Sequence, residues 1–180
     1  EYIRKSVLAF NLPSVDLVNY EADDLIATYV DQILKIGAKV TIVSSDKDLM
    51  QLFRKDVRIF DPMKNKFISE EDVQNKFGVD PTKVIDVQAL AGDSSDNVPG
   101  VPGIGVKTAA ELINKYGNLE TLLKSTNEIK QNKRRETLIE NKDRAIISKK
   151  LVTLKHDAPV DRDLTEFKLK EIDKDKLYKF

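Results

Sequence analysis

An α/β layer with parallel strands, followed by a helical module, is the fold class that this 180-residue sequence predicts. Three observations carry it. Between Glu21 and Phe60 the hydrophobic pattern runs helix, strand, helix, strand. From Ser69 onward the strand patterns stop, and helix start and stop signals follow one another. With 41% hydrophobic residues, the chain can also bury the core that such layers need.

From Glu21 to Ile36 the apolar residues Leu25, Ile26, Tyr29, Val30, Ile33 and Leu34 recur at helical spacing, and Gly37 is placed to stop the helix. The apolar arc of this helix contains Asp23 and is bordered by Glu21. "KVTIVSS", residues 39–45, is short and β-branched, a buried strand. A helix is expected around Lys47 to Phe53, then a strand at "VRIF" and a turn at Asp61 and Pro62. Ser69, followed by Glu70, Glu71 and Asp72, starts a helix that Gly78 ends. Asp80 and Pro81 start another, ended by Gly92. Val106 to Tyr116 forms a helix closed by Gly117, a short helix follows Asn118, and one long charged helix is expected over Asn132 to Lys150. After Pro159 the chain is highly charged and reads as the exit from the domain. The expected organisation is thus 1–68 for the C-terminal portion of an α/β core, 69–158 for a helical region packed on it without a flexible linker, and 159–180 for the exit segment.

Composition narrows the classes of function. No run of about 18 apolar residues exists, and Glu1 to Lys5 lack the apolar stretch of a signal peptide, so neither membrane insertion nor secretion is indicated. Absence of cysteine excludes disulfides, thiolate catalysis and cysteine-based zinc sites. The single histidine, His156, rules out sites built on several histidines and reads as solvated surface. Thirty basic and thirty acidic residues cancel over the whole chain but not locally: residues 21–100 hold ten basic and fifteen acidic side chains, residues 101–160 twelve and seven. The asymmetry points to an acidic site for cations beside a basic surface for a polyanion; chance segregation of solvated charges is the plainer reading.

Three acidic clusters supply candidates. "YEADD" puts Glu21, Asp23 and Asp24 at the start of a helix, where acids meet the dipole and cap amides; three, one of them on the inner side, exceed what capping requires. "SSDKD" puts Asp46 and Asp48 at the carboxyl end of a strand, where open α/β sheets place ligands, and one aspartate suffices as a helix cap. "GDSSDN" offers Asp93 and Asp96, which alone would suit an Asx turn. Seven carboxylates repel one another unless cations neutralise them, and hard oxygen donors select Mg²⁺ or Mn²⁺. Two such ions about 4 Å apart stabilise the attacking and leaving oxygens of phosphodiester hydrolysis.

Four of the seven glycines (Gly92, Gly100, Gly103, Gly105) fall within one stretch that ends in "VPGVPGIGVKTAAELI". Glycines let the backbone approach a ligand, prolines stiffen the approach, and the following helix opens with free amides. Lys107 in its first turn opposes the dipole unless an anion lies above it. The stretch reads as a clamp that holds nucleic-acid backbone without reading bases, through Gly100, Gly103, Gly105, Lys107 and Thr108. It is neither a G-x-x-x-x-G-K-[ST] loop nor a dinucleotide fingerprint, and a tight interhelix turn with Gly and Pro as punctuation is the alternative. Lys130, Lys133, Arg134, Arg135, Lys142, Arg144, Lys149 and Lys150 alternate with acids, so a solvated helix accounts for most of them and leaves a few as candidates for phosphate contact.

In this order, "YEADD", "SSDKDLMQL" and "LAGDSSDNVPGVPGIGVKTA" resemble the 5′ nuclease (5′-3′ exonuclease) domain of bacterial DNA polymerase I and, more widely, the flap endonuclease family, over roughly residues 1–158. The resemblance implies a Rossmann-like, PIN-like sheet layer and a helix-three-turn-helix DNA-binding motif at about 85–117. It implies two Mg²⁺ or Mn²⁺ ions held by Glu21, Asp23, Asp24, Asp46, Asp48, Asp93 and Asp96, all but Asp24 counted as catalytic, and K⁺ at the glycine turn. Implied as well are duplex DNA with a 5′ flap or 5′ end as partner, a bacterial cytoplasmic, nucleoid-associated setting in DNA replication and repair, no membrane, and covalent continuity with a polymerase region. Family members begin with a strand bearing another metal-binding aspartate and with a helical arch. Neither precedes Glu1, so the chain reads as a truncated fragment with little activity alone. A noncatalytic helix-hairpin-type duplex DNA-binding module is the rival, since it uses only the glycine turn and has no use for the acids. A phosphate-accepting receiver domain would use clustered aspartates but leaves the glycine turn unexplained.

Overall fold

The computed structural model describes residues 2–179; Glu1 and Phe180, the outer bounds of the expected domains, lie outside the described residues. The chain forms two compact units, one made of the residues up to Ala38 with those from Lys155 onward, the other running from Lys39 to Leu154. Among the described residues no helix is long and apolar enough to cross a membrane.

The first unit contains α1 (Tyr2–Ala9) and α2 (Ala22–Lys35). Glu21 and Asp24 form a reciprocal capping box at the start of α2, with the Glu21 N–H 3.4 Å from Asp24 Oδ2, and Gly37 follows its end at φ 75°. The buried residues of α2 are Leu25, Ala27, Thr28 and Val30, whereas Asp23, Ile33 and Leu34 are half-buried; Leu25 and Val30 lie on the expected arc, and Ala27 and Thr28 extend the burial beyond it. Thr28 shows what covers that added side. Its hydroxyl accepts the Ala158 N–H at 3.1 Å and donates to the Lys155 carbonyl at 3.4 Å, which fastens the returning segment to that face. His156 is exposed, as expected, and the same return brings its Nδ1 to 2.8 Å from Asp31 Oδ2, a hydrogen bond the sequence did not indicate. Nor does the charged stretch beyond Pro159 simply leave. Arg162 donates to the Ser14 carbonyl at 2.8 Å, Asn11 to the Glu171 carbonyl at 2.9 Å, and the Phe167 ring meets Tyr29 edge-on at 5.0 Å.

The second unit opens with a three-stranded sheet, β1 (Val40–Val43), β2 (Val57–Asp61) and β3 (Lys66–Phe67), in that spatial order. β1 and β2 are parallel, as expected, with Val40 opposite Val57 and Val43 opposite Phe60; β3 runs antiparallel to β2. Two residues are too few to show a strand period, so β3 left no trace in the sequence pattern. It forms because Asp61 holds the turn before it, accepting from the N–H groups of Met63 at 3.0 Å and Lys64 at 3.2 Å and from the Ser45 hydroxyl at 2.6 Å. β1, expected as a buried strand, buries only Ile42 and leaves Val43 64% exposed, because it is an edge strand with alternating faces. The helix expected around Lys47 to Phe53 is a 3₁₀ turn, Asp48–Leu52, that buries Leu49, Met50 and Leu52.

Then come α3 (Glu70–Phe77), a 3₁₀ turn at Pro81–Lys83 that runs into α4 (Val84–Ala91), α5 (Val106–Tyr116), α6 (Leu119–Lys124), α7 (Asn132–Glu140) and α8 (Lys142–Val152). Ser69, Asp80 and Asn118 cap the segments they precede, and Gly78 ends α3 in the left-handed region at φ 71°. α4 is buried almost all round (Val84, Val87, Ala89 and Leu90 among others) and packs against both α5 and α8. The single helix expected over Asn132 to Lys150 is two helices. They part at Asn141, φ −108° and ψ 22°, whose amide donates to the Thr137 carbonyl at 2.9 Å and closes α7.

Candidate metal centre and glycine turn

Two serines after β1, the chain enters its first acidic pair. Exposed Asp46 accepts the Asp48 N–H at 2.9 Å and gives its own N–H to the Ser44 hydroxyl at 3.1 Å, which forms a local turn ahead of the 3₁₀ segment, whose capping position falls to Lys47. Asp48 is half-buried, and its Oδ1 accepts from the Gln88 amide of α4 at 2.5 Å. Burial pushes the Asp48 carboxyl above its ordinary range, with the Gln88 bond working against that rise.

Past the end of α4, backbone bonds of 2.9 and 2.8 Å between Asp93 and Val98 close a small loop, with Asn97 at φ 56° and Asp96 exposed. Asp93 Oδ1 accepts the Ser95 N–H at 3.0 Å, and its other oxygen pairs with the Lys47 ammonium. Burial works to raise the Asp93 carboxyl, but Lys47 and Ser95 outweigh it and hold it below the ordinary range. The same bond to Asp93 pushes the Lys47 ammonium up.

One carboxylate oxygen from each of Asp48, Asp93 and Asp96 lies within 4.8 Å of the others. Three hard donors at that separation suit a divalent cation. Gln88 supports the fit: its buried Oε1 has no hydrogen-bond partner, an orphaned acceptor on the side chain that touches Asp48. Glu21, Asp23 and Asp24 belong to the other compact unit, where Glu21 is an exposed helix cap and Asp24 accepts the Lys155 N–H at 2.8 Å. Of the seven acids, the second unit therefore brings together Asp48, Asp93 and Asp96, with Asp46 bonded to the backbone of Asp48.

The glycine turn joins α4 to α5 and divides by role. Gly100 is buried; its N–H donates to Ser148 Oγ at 2.9 Å and its carbonyl accepts from Arg144 Nε at 2.9 Å, so both polar atoms are already taken. Gly103 and Gly105 face open space, with no atom within 4 Å of where a Cβ would stand, and exposed Lys107 and half-buried Thr108 follow in the first turn of α5. Arg144 also reaches the Pro99 carbonyl at 3.1 Å. It serves the turn's backbone; the sequence offered it only among the basic residues for phosphate contact, and this role, like that of Ser148, stayed hidden because a side chain that binds backbone leaves no complementary residue to find. Lys149 is also no free cation: it pairs with Asp86 of α4 and Glu120 of α6, each at 2.7 Å. Among the described residues, Lys107, Lys130, Lys133, Arg134, Lys142 and Lys150 have no ion-pair partner.

Two family models match consecutive parts of the chain: the 5′-3′ exonuclease N-terminal resolvase-like domain over residues 1–78, and the 5′-3′ exonuclease C-terminal SAM fold over residues 79–175. The chain belongs to the 5′-3′ exonuclease family. This exonuclease-family chain is 57% identical over 162 residues to DNA polymerase I of Rhizobium leguminosarum, covering 90% of itself and 16% of that protein. To the 5′-3′ exonuclease of Buchnera aphidicola it is 40% identical over 166 residues, covering 89% of itself and 58% of the relative. Its structure matches a T5 5′-exonuclease with bound divalent zinc at a TM-score of 0.76 and 25% identity, over 84% of this chain and 56% of that one. The mixed α/β fold with a helical part read from the sequence agrees with these matches, and the chain spans only part of each of these relatives.

Proposed function

We propose that the chain is part of a divalent-metal-dependent, structure-specific 5′ nuclease, the 5′-3′ exonuclease and flap endonuclease domain of a DNA polymerase I, acting on duplex DNA with a 5′ flap or 5′ end in replication and repair. The observation that carries this reading is the convergence of Asp48, Asp93 and Asp96 in the compact unit that also holds the glycine turn. Mg²⁺ or Mn²⁺ held by these carboxylates would supply charge stabilisation to the oxygens of a phosphodiester under attack. Asp48, held by Gln88, is the inner ligand, while Asp96 is exposed to solvent and open to an incoming substrate. Glu21, Asp23, Asp24 and Asp46 belong to the same proposal as ligands that complete a two-ion set. Lys107, Thr108 and the open backbone at Gly103 and Gly105 hold phosphates at the start of an eleven-residue helix, with no base reading. Gly100 supports that surface from beneath, and K⁺ at the turn is part of the reading. So are the divisions at 68 and 158 and a polymerase region in the complete protein.

The test uses 5′-labelled flap and gapped duplexes with Mg²⁺, on this chain and on the full-length protein. Full-length protein should cleave, lose cleavage on Asp96→Asn while still binding DNA, and outperform the chain alone. Tight DNA binding with no metal uptake and no cleavage in either form would replace the nuclease by a noncatalytic binding module.

A further inference from the structure

Lys47 lies between Asp46 and Asp48 in sequence, and its side chain turns to Asp93, forming an ion pair in which the carboxylate is 10% and the lysine 31% exposed. Asp48 and Asp96 stand near enough to act on the same ammonium. Three carboxylates that can hold a cation therefore already face one, on a flexible four-carbon stem with a path to solvent. We propose that Lys47 is an internal counter-cation that competes with the divalent ion for Asp93, so that metal binding is an exchange and Lys47 sets the affinity of the site. The inference rests on the metal reading above.

Three carboxylates this close repel unless something positive stands among them, and salt screens half-buried Asp48 and Asp93 less than exposed Asp96. The ammonium relieves that repulsion when no metal is bound, yet it brings one charge where the ion brings two and engages several oxygens. Exchange is therefore favourable but costs the Lys47–Asp93 pair. Removing the ammonium removes that cost and the repulsion between lysine and metal.

The experiment is calorimetric titration of the full chain with Mn²⁺, for wild type, Lys47→Met, Lys47→Arg and Asp93→Asn, with thermal unfolding in chelator and in Mn²⁺ alongside. Lys47→Met should bind Mn²⁺ about tenfold more tightly than wild type. Lys47→Arg, which keeps the charge, should stay near wild type, and Asp93→Asn should lose the site. In chelator Lys47→Met should melt below wild type and gain more on adding metal; Lys47→Gln replaces it if the Met variant does not fold. Unchanged or weaker binding by the neutral variants, with wild type binding through Asp93, would overturn the competition and leave the metal reading standing. Wild type that binds no Mn²⁺ through Asp93 would remove both.

Discussion

A Cβ on Gly100 would stand 2.5 Å from the backbone nitrogen of Gly92 and 2.7 Å from its Cα. Both residues sit at positive φ, 57° and 73°, so the two ends of the acidic loop meet backbone against backbone. Gly100→Ala should therefore cost more than about 3 kcal/mol, since strain and clash add. Gly103→Ala, at φ 73° in open space, should cost about 1 kcal/mol, and Gly105→Ala, at φ −89° and equally open, close to nothing. Urea unfolding of the three variants checks the ranking. Equal costs would refute the division of the turn into a packed half and an open half.

Lys149 joins three helices by neutralising Asp86, whose side chain is 10% exposed, and the outer Glu120. Lys149→Met leaves Asp86 buried without its counter-charge and should destabilise the chain by about 3 kcal/mol. Adding Asp86→Leu to Lys149→Met should restore part of the loss, which a double-mutant cycle in urea would measure.

Asp61 carries a pH dependence that can be signed. The Ser45 hydroxyl above all, with the Lys64 ammonium and backbone N–H groups, holds its carboxyl at about 2 against an ordinary 3.8. A depressed pKa in the folded state stabilises above the ordinary value and is lost as pH falls through the folded one. Wild type should thus lose stability between pH 3.8 and about 2 more steeply than Asp61→Asn. Parallel unfolding curves at the two pH values for both proteins would remove the claim.

Lys107 has no ion-pair partner and stands at the start of α5. If it meets a phosphate, Lys107→Ala should weaken duplex binding alike for all sequences and reduce the slope of log affinity against log salt by about 0.9. Fluorescence anisotropy at several salt concentrations reads both. Arg144→Lys should weaken binding too, by loosening the Gly100 and Pro99 carbonyls, but with the slope retained.

How far all this was legible depended on whether a residue acted locally. Caps and stops were visible because Ser69, Gly78, Asn118 and Gly117 act within four residues of themselves. The parallel pair of strands was visible through its β-branched runs, and the acids through their type. Hidden were events that need a distant partner: the burial of Thr28 by Lys155 and Ala158, and the hold of Arg144 on a turn 44 residues away. The stop at Asn141 is local, but no glycine or proline marks it in the sequence. Lys47 was hidden differently. Its sequence neighbours are acids, yet the acid it meets is Asp93.

Arg144 and Ser148 lie one helical turn apart, and both grip Gly100. The length of α8 between them is therefore a ruler: one residue inserted there would rotate Ser148 by about 100° and pull it off the Gly100 amide. Insertions or deletions inside that single turn should therefore release the glycine turn, whatever residues line the outer side of α8.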